Sequence, residues 1–338
     1  MEKPFIIPVF LPHTACPHRC AFCNQSVITR FQPKAPSPEK IERIISEYLS
    51  YRDRKRDRTQ IAFFGGNFLG IPEDRIRPIL ELAQQYVNAG KVNGIRLSTR
   101  PDTINPRTLS ILKEFSVDVV ELGIQSMDDA VLEMSRRGHS SRDTLQAIRL
   151  LKDQPYEIVL QMMVGLPGDN STKTLQTAEK IVEMKPDGVR IYPTVVLAGS
   201  ALADWYRNGE YKPLELDDAV DRVKDLYLIF QKAGIKVIRM GLHADADLIG
   251  GSDILAGPFH PAFGHLVHSR LFLEKVKTAI AEMGERRDEL SIWIHPHNVS
   301  RVRGLNNENI RVLITQFRFK TIHVHADADY GPDQLTVK

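Results

Sequence analysis

The 338-residue sequence has only three cysteines, and all of them fall in one stretch, CPHRCAFC, as Cys16, Cys20 and Cys23. With none after residue 23, a disulfide framework of the small secreted type is excluded, as is a second cysteine-ligated cluster in the chain. Long apolar runs are missing too: none approaches the ~20 residues that cross a bilayer, so no membrane partner is expected. The N-terminal FIIPVFLP is short, interrupted by prolines and without a small-residue cleavage site, which argues against a signal peptide. A reducing, cytoplasmic compartment is the expectation. Nor is there a strong charge of one sign. The net charge of +3 permits an anionic partner without demanding one. What remains is ordinary globular composition, 42% hydrophobic and 26% charged, in a chain long enough for one large α/β barrel or two domains.

The cysteines are spaced Cys-x3-Cys-x2-Cys. Three thiolates can hold a cubane 4Fe–4S cluster by three of its irons and leave the fourth open to an external ligand. The alternatives are a closed Cys3His zinc site, with His13 or His18 as the fourth ligand, and a disulfide plus a spare thiol, which has no secretory context to favour it.

Along the chain, strand-like runs alternate with helix-like ones. Phe5 to Leu11 is a short strand that delivers the chain to the cysteine loop. Ser37-Pro38 is an N-cap with proline at the first helical position, and Ile41, Ile44, Ile45, Tyr48 and Leu49 then follow a helical period. Strands are predicted at 60–66, 94–100, 117–125, 157–166 and 188–194. Helices are predicted through Ile76 to Val87, at 106–114, over 128–152 and at 172–184. Six strands, each followed by a helix, argue for parallel βα units and a partial (β/α)6 TIM-like barrel within the α/β class. Chemistry in such barrels gathers at the C-terminal ends of strands, and the cysteine loop is at one of them.

Polar and glycine residues follow the other strand ends. Gly65, Gly66 and Asn67 form FFGGN after the second; glycines there let backbone approach a ligand, and carbonyls could accept from an ammonium group. Ser98, Thr99 and Arg100 end the third strand, Gln125-Ser126 the fourth, and VGLPGD, with Gly165, the fifth. Arg136, Arg137 and His139 (RRGH) lie beyond the fourth, where an arginine could grip a carboxylate bidentately. Each alone reads equally well as a polar loop position; together they converge on one barrel mouth.

CPHRCAFC, FFGGN, IRLSTRPD, VELGIQSMDD with RRGH, MMVGLPGD and VRIYPTVVLAGSALADWYRNGEY resemble, in order over residues 5 to 240, the radical S-adenosylmethionine (SAM) domain of the Elongator catalytic subunit and shorter bacterial relatives. The likeness extends more loosely to oxygen-independent coproporphyrinogen oxidases. The resemblance implies a 4Fe–4S cluster on Cys16, Cys20 and Cys23 with SAM chelating the open iron. It implies SAM contacts from Gly65, Gly66, Asn67, Ser98, Arg100, Gln125 and Arg137, with Gly165 packing near the adenine. It further implies reductive cleavage of SAM to methionine and a 5′-deoxyadenosyl radical, an electron donor such as flavodoxin or ferredoxin, and a tRNA-modification role. Two departures stand out. Asn67 replaces the glutamate or threonine usual after the two glycines, and the chain after the barrel is too short for an acetyltransferase domain.

Beyond the barrel, a helix is predicted from Asp217 to Lys232 and one more strand at 236–242, followed by a helix opening in 255–270. His260, His265 and His268 lack partners to complete a metal site and read as a packed or solvated helix start. Residues 52–58, RDRKRDR, read as a solvated helix end with phosphate contact possible. The last fifty residues read as strand, short helix, GLNN loop, helix and strand. This β-α-α-β unit resembles a minimal KH-like fold, with Gly304 in place and Asn307 where a second glycine would stand, flanked by Arg301, Arg303, Arg311 and Arg318. KH loops clamp nucleic-acid backbone; a cap closing the open barrel is the preferred reading. The expected division is therefore a partial barrel over 1–245, a helical connection over 246–286 and the βααβ unit over 287–338. RNA is the leading substrate. A small metabolite is the runner-up, and a non-catalytic, cluster-bearing RNA-binding protein the third alternative.

Overall fold

The computed structural model describes residues 4–11, 16, 19–24, 36–52, 58–242, 253–284, 288–332 and 334–338. His13, His18 and the centre of RDRKRDR lie outside the described residues. Seven parallel strands make the main sheet: β1 (Phe5–Phe10), β2 (Thr59–Phe64), β3 (Gly94–Thr99), β4 (Val117–Gln125), β5 (Glu157–Val164), β6 (Gly188–Pro193) and, after the two-residue β7 (Val196–Leu197), β8 (Lys236–Met240). Their spatial order is β1-β2-β3-β4-β5-β6-β8, the curled partial barrel expected. The strand anticipated after the barrel joins this sheet as its seventh member, parallel to β6 with Gly188 opposite Lys236.

Alternation along each strand sorts two faces. Ile61 and Phe63, Ile95 and Leu97, Val120, Leu122 and Ile124, Ile158, Leu160 and Met162, and Val189 and Ile191 are buried in one core together with Ile41, Ile76, Leu80, Leu112, Ile148, Ile181 and Val223 from the covering helices. The other face is polar. Glu121 on β4 reaches Arg190 on β6, two strands away, at 2.9 Å. Strands two apart are separated by ~10 Å, so the pair can meet only across the concave face.

The helical region read over 128–152 is two helices, Asp129–Met134 and Ser141–Lys152. Arg136 (φ 52°) and Gly138 (φ 71°) adopt left-handed backbone between them, and Ser140 opens the second helix with a capping box through Asp143. The break is what turns RRGH inward. Ser37 caps the helix Pro38–Ser50 as expected, accepting from the Lys40 N–H.

β9 (Ile254–Ala256) pairs antiparallel with β7. The helix Phe263–Met283 then spans two cores: Phe263 and Val267 belong to the barrel core, and Phe272, Leu273 and Val276 pack with Leu290, Ile292, Ile294, Val302 and Leu313 of the C-terminal unit. His260, His265 and His268 have separate partners: the Ala262 N–H, the Ser269 hydroxyl and the Tyr227 ring. In the C-terminal unit, β10 (Glu289–Ile294) is flanked by parallel β11 (Thr321–Ala326) and antiparallel β12 (Leu335–Val337). The short helix Val299–Arg303 and the helix Glu308–Phe317 bracket the GLNN loop. Asn306 and Asn307 both adopt left-handed backbone (φ 51° and 61°), so asparagine supplies the geometry a second glycine would have given.

Gly304 has φ 72° and ψ 175°, a region essentially closed to other residues. A Cβ there would meet Asn309 atoms at 2.9–3.0 Å. Asn309 is buried and donates to the carbonyls of Ser269 and Arg301, tying the loop to the bridging helix. Gly304→Ala is expected to destabilise the C-terminal unit by about 1–3 kcal/mol, seen as faster hydrogen exchange in β10 and β11 with the barrel strands unchanged.

Candidate active site

The cysteine loop is fixed at its C-terminal half by segments remote in sequence. The Ala21 N–H donates to the Ser135 carbonyl (2.9 Å), and the Ala21 carbonyl accepts from the Leu202 N–H (2.8 Å). The Asn24 amide donates to the Ala198 carbonyl at 2.6 Å. Phe22 packs with Val196, Leu202, Ala203, Trp205 and Tyr211. None of the three cysteines is disulfide-bonded in this structure.

Two buried arginines converge on this loop. Arg137 donates from Nη1 to Cys20 Sγ (3.2 Å) and from Nη2 to the Gly123 carbonyl (2.5 Å). Arg100 is held by both oxygens of Asp102 at 2.9 Å. Arg137 Nε and Arg100 Nη1 are buried with no partner among the described residues. Burial pushes the Cys16 thiol up and the neighbouring Cys20 adds to this, while Arg137, Arg100 and the Asn67 backbone N–H oppose it. That N–H joins the glycine-rich turn to the cysteines.

His139 is buried behind the arginines. Burial first, then Arg137 and Arg100, push its pKa down to about 4, so it stays neutral near pH 7 and donates from Nε2 to the Ile124 carbonyl at 3.3 Å. Arg136 turns away and stacks over the Trp205 ring at 4.9 Å. Of the two neighbouring arginines, the structure thus brings only Arg137 to the cysteines.

Gln125 is buried in left-handed backbone (φ 66°) beside an irregularity in the β4–β5 register. Its side-chain carbonyl accepts from the Gln161 amide at 3.2 Å. Two participants escaped sequence reasoning. Gln161 lies inside an apolar-looking run. Gly123 leaves room for both side chains: a Cβ there would come within 2.8 Å of Gln125 Nε2 and 3.0 Å of Arg137 Nη2 and displace them. Ser98 shares the polar face of β3 with Arg96. Gly165 (φ 77°) is held through its carbonyl by the Tyr211 hydroxyl (2.6 Å) and through its N–H by Asp169 (2.9 Å).

The departure at Asn67 has a structural explanation. Its buried amide oxygen accepts from the Thr99 hydroxyl (2.8 Å), the Thr103 hydroxyl (3.1 Å) and the Arg100 N–H (3.2 Å). The side chain therefore ties the glycine turn to the end of β3 and leaves Gly65 (φ 88°) and Gly66 as half-buried backbone. Asn67→Ala is expected to cost about 1–2 kcal/mol in chemical denaturation because it orphans buried donors. Asn67→Asp, which keeps the acceptor, should recover most of that loss.

The donor set fits the implied cofactors: three thiols on one loop, beside two buried guanidinium groups that each keep one donor, Arg137 Nε and Arg100 Nη1, without a partner among the described residues. Comparison with known proteins agrees. The model of the radical SAM superfamily matches residues 10–181, and that of the Radical_SAM C-terminal domain matches residues 186–272. The chain is 34% identical over 254 residues to a tRNA uridine(34) acetyltransferase of Methanocaldococcus jannaschii, over 64% of this chain and 47% of that protein. It is 28% identical over 236 residues to an uncharacterized protein of the same organism, over 66% of this chain and 71% of that one. Against the tRNA uridine(34) acetyltransferases, the chain thus spans about half of the relatives' length. The fold matches that of Elp3 from Methanocaldococcus infernus with a TM-score of 0.60 at 22% identity, covering 81% of this chain and 63% of that one. The matched models take in the cysteine loop, the glycine turn and the clamping segment after β6, and the chain belongs to the radical SAM superfamily.

Proposed function

We propose that this radical SAM enzyme modifies RNA, with tRNA as the substrate class, and that Cys16, Cys20 and Cys23 hold its 4Fe–4S cluster. When bound, the cluster and SAM supply the capacity to abstract a hydrogen atom from an unactivated carbon. The chain's own residues would bind and orient. Gly65 and Gly66 bring backbone carbonyls to the SAM amino group. Arg137 takes its carboxylate, with Arg100 adding positive charge behind. Gln125 and Ser98 line the mouth, and Gly165 gives the adenine a close backbone surface. One observation carries this reading: buried Arg137 bridges a cysteine sulfur and a strand-end carbonyl while its Nε has no partner among the described residues. A cysteine-bound cluster and a carboxylate are the anions such a group needs.

The tRNA reading is supported by the relatives named as tRNA uridine(34) acetyltransferases and by the basic loop of the C-terminal unit. There Arg303 donates to the Asn307 side chain and Arg311 to the Asn306 carbonyl, both on the exposed surface. No helix among the described residues is long and apolar enough to cross a membrane. A cytoplasmic setting with a flavodoxin or ferredoxin as electron donor completes the proposal.

Anaerobically reconstituted protein is expected to carry about four irons per chain, as one cubane demands, and to release 5′-deoxyadenosine from SAM under reducing conditions. Cys→Ala at Cys16, Cys20 or Cys23 should abolish that release while leaving the circular dichroism spectrum unchanged. A colourless zinc protein from the same preparation refutes the cluster assignment.

The RNA partner is tested away from Gly304, whose substitution would disturb packing. Arg303→Gln combined with Arg311→Gln is expected to weaken tRNA binding and to flatten its salt dependence, by a slope of about 0.9 for each phosphate that is no longer neutralised. Unchanged affinity and slope would make the unit a structural cap.

A further inference from the structure

Inside the curled sheet, the polar face carries a layer of charge that neither the cluster nor SAM contacts assigned above use. Arg96 on β3 and Arg190 on β6 share one carboxylate, Glu121 on β4, at 2.6 and 2.9 Å. The Gln60 carbonyl also accepts from Arg96 Nη2 at 3.1 Å, and the Gln60 amide donates to Asp118 at 3.1 Å. Asp118 and Glu157 pair with Arg58 at the opposite end of the strands. Their side chains are 28% and 39% exposed, so water screens them. Glu121 is 4% exposed. Within this layer Arg96 and Arg190 therefore face one carboxylate, and Arg239 on β8, in register with Arg190, donates to the Gly241 and Leu242 carbonyls.

Arg190 bears the surplus. Its Nη2 is taken by Glu121 and its Nη1 by the Tyr192 hydroxyl at 3.3 Å, and its plane lies over the Phe64 ring at 5.7 Å. Nε is buried without a partner among the described residues. Arg190 stands in register with Gln161, and Gln161 with Gly123, whose carbonyl takes Arg137. It lies three residues before the end of β6, ~10 Å along the strand from the mouth. The Tyr192 hydroxyl, having accepted from Arg190, still has its own proton to donate.

We propose that this layer is an anion subsite, in which Arg190 Nε and the Tyr192 hydroxyl hold the carboxylate of a small molecule that enters the barrel beneath SAM. Two donors match the two acceptor oxygens of a carboxylate. A phosphate brings more acceptor oxygens than these two donors can satisfy. The inference rests on the charge and donors of the barrel interior and not on the RNA reading, so either can fail alone.

The test measures equilibrium binding of isotope-labelled acetate and propionate to the anaerobically reconstituted protein with SAM saturating, so that Arg137 is already engaged. Inorganic phosphate and uridine 5′-monophosphate serve as comparison anions. Wild type should bind the carboxylates, and Arg190→Gln should weaken binding by about ten- to a hundredfold, the range for losing a charge-assisted hydrogen bond. Glu121→Gln should tighten binding by releasing a second guanidinium, whereas a purely structural ion triad would only lose stability. If either variant fails to fold, Tyr192→Phe keeps the triad and must still weaken acetate binding. The proposal is overturned if neither carboxylate binds, if binding is indifferent to Arg190 and Tyr192, or if phosphate or uridine 5′-monophosphate competes equally well.

Discussion

The site depends on a buried guanidinium. Arg137 is 7% exposed and has no carboxylate partner among the described residues; it donates to a cysteine sulfur and a backbone carbonyl. A charge so placed is costly unless anions surround it, and several local features follow from making room for it. Glycine at position 123 leaves the space that Arg137 and Gln125 occupy, since a Cβ would crowd both. Arg136 and Gly138 must leave helical geometry so that the chain turns back toward the strand ends. His139 must stay neutral, because two guanidinium groups and burial leave no place for a third positive charge. In the proposed site, cluster thiolates and the SAM carboxylate would relieve what the protein alone leaves unbalanced, which would couple cofactor binding to local stability.

The alternation of strands and helices was legible because apolar runs and helical periods carry it, and because each strand end was marked by glycine or polar residues. The cysteine loop and the glycine turn were legible for the same reason: their chemistry is local. Asn67 could be seen as a departure from pattern, but its role needed Thr99, Arg100 and Thr103, more than thirty residues on. The polar interior was missed entirely. Gln60, Arg96, Glu121, Gln161 and Arg190 lie within strands that read as buried and apolar, and a polar residue in such a run carries no sign of what it faces. Glu121 and Arg190 are 69 residues apart, and only the curl of the sheet joins them. β7 was invisible because two residues cannot show a period; its partner β9 supplies the hydrogen bonds that define it.

The clamp on the cysteine loop shows how far the site extends along the chain. Ala21 is held on one side by Ser135, just before RRGH, and on the other by Leu202. Asn24 reaches Ala198, and a Cβ on Gly199 (φ 70°) would press to 2.9 Å from the Asn24 amide nitrogen. Ala198, Leu202 and the apolar pocket that receives Phe22 all fall beyond residue 181, in the region matched by the C-terminal domain model. The strands that carry the residues proposed to face SAM therefore do not by themselves fix the cysteines. The segment after β6, stapled by the β7–β9 pair and anchored through the helix Ala201–Arg207, supplies two hydrogen bonds that set the described part of the loop. Cluster geometry and the packing of the post-barrel segment form one mechanical unit. A change that loosens Trp205 or Tyr211 would reach the cysteines through Phe22 and the Leu202 N–H, without touching the metal site itself.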